Sequence, residues 1–163
     1  MRPDAYARLR PLPRTPPDEL CPHRGAPLKL MSALTPNPMH CMICNREVPP
    51  DTLGLPAAVI DALANWRDVY DALDRLWLDS GPYETWARAE LSDIGSAANA
   101  RGRSVQREID AIRRCYYWYS RDQSADDYRP LIACPVCAEP LLDDELGRVR
   151  QRVCERDGIV VPA

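Results

Sequence analysis

Six of the seven cysteines of this chain stand at spacings suited to holding a metal ion. Cys41-Met42-Ile43-Cys44 and Cys134-Pro135-Val136-Cys137 are Cys-x-x-Cys knuckles, and Cys21 and Cys154 each stand alone. The four groups are related by one offset. Shifting by 113 positions carries Cys21-Pro22 onto Cys134-Pro135, Pro27-Leu28 onto Pro140-Leu141, Cys41 onto Cys154 and Val48-Pro49 onto Val161-Pro162. An internal repeat whose unit is two cysteine turns about twenty residues apart has the layout of a zinc ribbon, in which facing knuckles clamp one tetrahedral ion. Each copy supplies three thiolates, because Arg24 stands where Cys137 does and Asp157 where Cys44 does. The fourth ligand is then expected from His23 in the first copy, with His40 as a substitute, and from the Asp157 carboxylate in the second. Two other arrangements fit the same residues. Cys41/Cys44 and Cys134/Cys137 could share one composite site, or both ribbons could hold no metal. An odd number of cysteines paired at x-x spacing suits a reducing compartment better than a disulfide framework.

Ribbons of about thirty residues cannot be held by burial alone, so the segment between them is expected to supply the core. It contains no Phe, and the four Trp and seven Tyr of the chain carry its aromatic packing. Val59, Ile60, Leu63, Trp66, Val69, Tyr70, Leu73, Leu76 and Trp77 recur at threes and fours after Pro56, which predicts a long amphipathic helix stopped by Ser80-Gly81. Pro82 opens a shorter helix bearing Tyr83, Trp86 and Leu91. A third is expected from near Ser104, with Val105, Ile109, Ile112, Tyr116 and Tyr119 buried. The expected fold is mainly α with small β: a central helical bundle flanked by two zinc-ribbon-like repeats. Its segments are a Pro/Arg-rich arm over 1–20, repeat 1 over 21–50, the helical core over 51–130 and repeat 2 over 131–163.

Charge is unevenly placed. The chain totals −3, yet residues 101–121 carry six arginines against Glu108 and Asp110. Residues 51–80 carry six aspartates against Arg67 and Arg75. The stretch 91–109 has the look of a helix-turn-helix, with Gly95 and Ala98 permitting close crossing and Asn99 in a left-handed turn. Arg101, Arg103, Ser104, Gln106, Arg107 and Arg114 then form a candidate nucleic-acid-binding face, since such side chains reach phosphates and base edges. The bland counterpart is a basic helix neutralised by the acidic first one. Cys115-Tyr116-Tyr117-Trp118-Tyr119 is expected as the last turn of a buried helix rather than a stacking platform, and Cys115 as a buried thiol. No phosphate loop, His-Glu-x-x-His or Gly-x-Ser-x-Gly is present, so neither an enzyme nor a small-molecule substrate is expected. With no apolar run of membrane-spanning length and no signal-like start, the chain is expected to be cytoplasmic.

The two Cys-Pro knuckles, the segment from Tyr70 to Trp86 and the Cys115–Tyr119 run together resemble bacterial zinc-ribbon-containing proteins of uncharacterised function, some described as nucleic-acid-binding. The resemblance itself implies little about activity. The residues lead to the expectation of a non-catalytic Zn²⁺-binding module with a nucleic-acid partner or, alternatively, a protein-interaction adaptor or immunity-like inhibitor using the acidic first helix and exposed aromatics.

Overall fold

In the computed structural model, which describes Tyr6, residues 15–126 and residues 128–163, the cysteine segments and the centre of the chain build one sheet. The expected arm over 1–20 falls largely outside the described residues. The strands are β1 (Leu28–Leu30), β2 (Met39–Cys41), β3 (Cys115–Trp118), β4 (Leu142–Asp143), β5 (Gln151–Cys154) and β6 (Ile159–Pro162), in the order β2-β1-β3-β6-β5-β4. β1 and β6 lie parallel to β3 on either side of it, and the outer pairs are antiparallel. The first cysteine segment therefore joins the sheet through its first strand and the second through its last.

Three helices cover one face: α1 (Ala57–Leu78), α2 (Glu84–Ser92) and α3 (Ala97–Asp110). Along α1 the buried positions Val59, Ile60, Leu63, Ala64, Trp66, Tyr70 and Leu73 recur at helical spacing, and the helix stops before Gly81 at φ 59°. Glu84 at the start of α2 accepts from the Ser80 and Gly81 N–H groups at 3.3 and 3.0 Å. Ser96 caps α3 by accepting from the Asn99 N–H at 3.2 Å, a contact that satisfies one of the orphan donors at a helix start. The stripes meet Leu28, Leu30, Met39, Cys115, Tyr117, Tyr119, Ile159 and Val161 from the sheet in one core.

The expected helical bundle with ribbons at its flanks is thus overturned by a six-stranded mixed sheet running through the middle of the core. The decisive segment is Cys115–Tyr119, which is a central strand and not a helix end. A strand buried on both faces reads as an unbroken apolar run, so its period of two is hidden. Cys115, Tyr117 and Tyr119 face the helices, while Tyr116 and Trp118 pack with Met42, Val153 and Val160 on the other side. α3 accordingly ends at Asp110, whose Oδ1 accepts the Cys115 N–H at 2.8 Å and turns the chain into β3. Tyr83 and Trp86, expected on a buried side, are 60% and 52% exposed.

Asn99 does not occupy a turn. It lies fully buried in the first turn of α3, where its Nδ2 donates to the Leu91 and Asp93 carbonyls at 2.9 and 2.7 Å. Its Oδ1 accepts from the Tyr117 hydroxyl at 2.7 Å. One side chain on α3 thereby holds the end of α2 and fastens both helices to the central strand.

Candidate metal centres

Two groups of ligand atoms form, each with members within 4.8 Å of one another: Cys21, Cys41 and Cys44, and Cys134, Cys137, Cys154 and Asp157. The intact knuckles do not converge on a composite site, and all seven thiols are free. Both groups are made by tight turns whose backbone repeats at the sequence offset. Asn45 and Gly158, 113 apart, have φ of 61° and 62°, and Gly25 and Ala138, also 113 apart, have 79° and 63°. Left-handed backbone suits Gly and is tolerated by Asn, so Ala138 is the strained member of the set. The His23 N–H donates to Cys21 Sγ at 3.3 Å, and 113 positions later the Val136 N–H donates to Cys134 Sγ at 3.4 Å. The bridge His40↔Glu47 has its counterpart in the register Val153↔Val160.

The spacing within the groups suits a tetrahedral ion. Zn–S bonds of about 2.3 Å put tetrahedral sulfurs about 3.8 Å apart, with a carboxylate oxygen slightly nearer. Cys44 and Cys21 sulfurs lie 3.5 Å apart, and those of Cys137 and Cys154 lie 3.7 Å apart. Asp157 Oδ2 is 3.3 Å from Cys134 Sγ and 3.6 Å from Cys154 Sγ. The second group therefore presents four donors and the first presents three.

The electrostatics of the bare ligands are those of groups awaiting a cation. Burial pushes the Cys21 and Cys134 thiols up to about 12. Cys137 is raised chiefly by its contact with Asp157, while the Asp157 carboxyl is held low by that same partner. In Cys41 the burial cost is outweighed by N–H groups of Cys44 and Ile43, which favour a thiolate. A divalent ion placed among these atoms would compensate the charge that burial now penalises.

The remaining expected site residues are scattered. Neither imidazole belongs to the first group: His23 is exposed, and His40 is buried beside Lys29 with its Nδ1 unpartnered and its pKa lowered, chiefly by burial, to about 4. On α3, Arg101, Ser104 and Arg107 are exposed, and Arg103 is half-buried with Nη2 donating to Ile94 O at 3.4 Å. Gln106, expected to face outward, is 1% exposed, because its Nε2 donates to the Cys115 carbonyl at 2.6 Å. Arg114 folds back onto Asp110 and Glu155, at 3.2 and 2.6 Å. The basic face is therefore smaller than the arginine count implies.

Two features had no sequence signal. Lys29, the only lysine, is buried on the face of the sheet away from the helices, where Nζ donates to Gln151 Oε1 at 2.9 Å and lies 4.5 Å over the Trp118 ring. A second feature is a narrow cavity of about 60 Å³ bordered by Tyr70, Asp74, Trp118 and Arg121, beside a wider one of about 320 Å³. Burial, with Asp71 adding to it, raises Asp74 to about 7. An acid whose pKa rises on folding binds more protons in the native state, so stability falls as pH climbs from about 4 to 7. Denaturant titration of Asp74→Asn should show that slope flattened and the variant the more stable protein at pH 8; an unchanged slope would remove Asp74 as its source.

Residues 34–120 match a family described as Domain of unknown function (DUF2310). The match takes in Cys41, Cys44, the three helices and β3, and leaves Cys21 and the whole second group outside it. No curated protein and no solved structure matches the chain.

Proposed function

The chain belongs to the DUF2310 family, to which no activity is attached, and on the strength of its two thiol clusters we propose that it is a non-catalytic module holding two zinc ions. The observation that carries this reading is the four-donor arrangement of Cys134, Cys137, Cys154 and Asp157 at tetrahedral spacing. Three thiolates and a carboxylate suit zinc, and a closed set of four protein ligands belongs to structural rather than catalytic sites. Cys21, Cys41 and Cys44 would hold the second ion. Each zinc would tie a cysteine turn to one end of a sheet whose strands are only two to four residues long. Reduced thiols of this kind fit a cytoplasmic setting. Among the described residues no helix is long and apolar enough to cross a membrane.

Metal analysis of protein purified without added zinc or chelator tests the reading. Two zincs per chain are expected, with Cys44→Ser and Cys137→Ser each losing one. A single zinc abolished by either change, or none at all, would overturn it.

For a partner we favour nucleic acid, met by Arg101, Arg103, Ser104 and Arg107 on α3, the side chains left once Gln106 is buried and Arg114 is paired with Asp110 and Glu155. Binding to duplex DNA or single-stranded RNA should weaken as salt rises, and Arg101→Glu/Arg107→Glu should abolish it. The exposed Tyr83 and Trp86 support a protein-adaptor reading instead. Salt-insensitive behaviour with a partner lost on Trp86→Ala would favour that one.

A further inference from the structure

The two clusters differ at two positions, Arg24 for Cys137 and Cys44 for Asp157, and the first of these leaves one cluster a donor short. Where the second has Cys137, the first has Arg24, and beside it lies a cavity of about 510 Å³. That volume is in the range of small-molecule sites. We infer that the first cluster holds its ion through three protein ligands only and takes the carboxylate of a small molecule as its fourth, in the cavity walled by Cys21, His23, Arg24, Val48, Pro49 and Arg113. This rests on the reading that the cluster binds metal at all.

The chain supplies its own template. At the second cluster the fourth donor is a carboxylate, that of Asp157, with Arg156 among the groups that keep it ionised. At the first, Cys44 stands in the place of Asp157 and the donor missing beside the three thiolates is the one that Arg24 replaces. Three thiolates around a divalent ion leave a net charge of minus one, and Arg24 and Arg113 bring two positive charges to the cavity wall. A bound carboxylate makes the assembly neutral. Arg113 is held in place, since its Nε and Nη2 both donate to the Ala26 carbonyl at 2.9 and 2.6 Å, so it can receive a ligand without first being ordered. Guanidinium groups match a carboxylate's geometry, and apolar walls from Val48 and Pro49 would shelter the remainder of the molecule. His23 is the internal competitor. It borders the cavity, is exposed, and uses its backbone N–H rather than its ring to contact Cys21.

The test uses the full chain loaded with cobalt(II), whose visible bands report the number and type of donors. Succinate and acetate are titrated at constant ionic strength in chloride-free buffer, with metal content measured alongside. Two cobalts per chain are expected, with a saturable shift of the ligand-field bands that persists in His23→Ala and disappears in Arg24→Cys, where a fourth thiolate fills the opening. Two cobalts with no shift, or a wild-type spectrum that loses a nitrogen donor in His23→Ala, would overturn the inference while leaving the two-metal reading standing. A single cobalt unaffected by Cys44→Ser would overturn both.

Discussion

Replacing Gly102 with alanine should destabilise the protein by about 2–4 kcal/mol, although alanine is the better helix former. The reason is where α3 crosses the core. A Cβ at position 102 would lie 2.4 Å from Cε2 and 2.8 Å from Cζ of Tyr117, and 2.5 Å from Nε1 of Trp66. Neither ring can yield easily. Tyr117 and Trp66 meet edge to face, 6.0 Å between centroids and 70° between planes, and Trp66 also packs on Tyr70 at 5.3 Å. The Tyr117 hydroxyl is fixed by Asn99. The favourable propensity change is about 1 kcal/mol, and overpacking a rigid core costs more than that. For a chain of this length the loss corresponds to a fall in Tm of roughly 5–15 °C. Urea unfolding of Gly102→Ala, Trp66→Leu and the double variant checks the cause. Trimming the indole makes room for the methyl, so the double variant should be less damaged than the two singles added together. Simple additivity would mean that α3 shifts aside and the contact is not what makes Gly102 necessary.

Gly102 also marks where the sequence stopped being informative. The cysteine clusters were legible because thiols at x-x spacing have few other uses, and the left-handed turns at Asn45 and Gly158 fall on the same 113-residue offset. The helix of Ala57–Leu78 was legible because one face is apolar and the other acidic. The sheet was not. Its strands run from two to four residues, too short to show a period, and the central one is apolar on both faces. A fifth aromatic-rich turn of helix and a doubly buried strand look alike until something is known to lie on each side. Polar residues misled for a related reason. Gln106 looks like a surface group on a basic helix and Asn99 like a turn residue, but their amides pair with Leu91, Asp93, Tyr117 and Cys115, partners that assemble only when α2, α3 and β3 meet. Gly102 between them carries no signal in the sequence, because its size is set by two rings brought from 36 positions before it and 15 after.

Lys29→Met should raise stability below pH 8 and lose that advantage as pH approaches 10.5. Lys29 sits in β1 with 1% exposure, and burial lowers its pKa from 10.5 to about 8 despite the opposing pull of Asp144. Among the described residues its Nζ has one hydrogen-bond acceptor, Gln151 Oε1, and the face of Trp118. Gln151 in turn donates from Nε2 to Asp144 Oδ2 at 2.6 Å, so the carboxylate reaches the ammonium through an amide rather than directly. A base whose pKa falls on folding is charged in both states below its native pKa, and there the full cost of burying the charge is present. Between about 8 and 10.5 the unfolded chain still binds the proton and the native chain does not, so stability gains with rising pH. The drop of about 2.5 units corresponds to about 3 kcal/mol, relieved across that window. Methionine keeps the aliphatic length without the charge, and replacing a buried ion by an apolar residue of similar volume is frequently stabilising. Measuring both proteins by denaturant titration from pH 7 to 10.5 isolates the lysine, because cysteine and tyrosine titrations are common to both and cancel in the difference. Asp144→Asn gives the opposite sign: it removes the one carboxylate that draws on Lys29, and should destabilise at pH 7 while doing nothing in the Lys29→Met background. A Lys29→Met protein weaker than wild type at pH 7 would show instead that the Lys29–Gln151–Asp144 chain, which ties β1 to β5 across the sheet, contributes more than the buried charge costs.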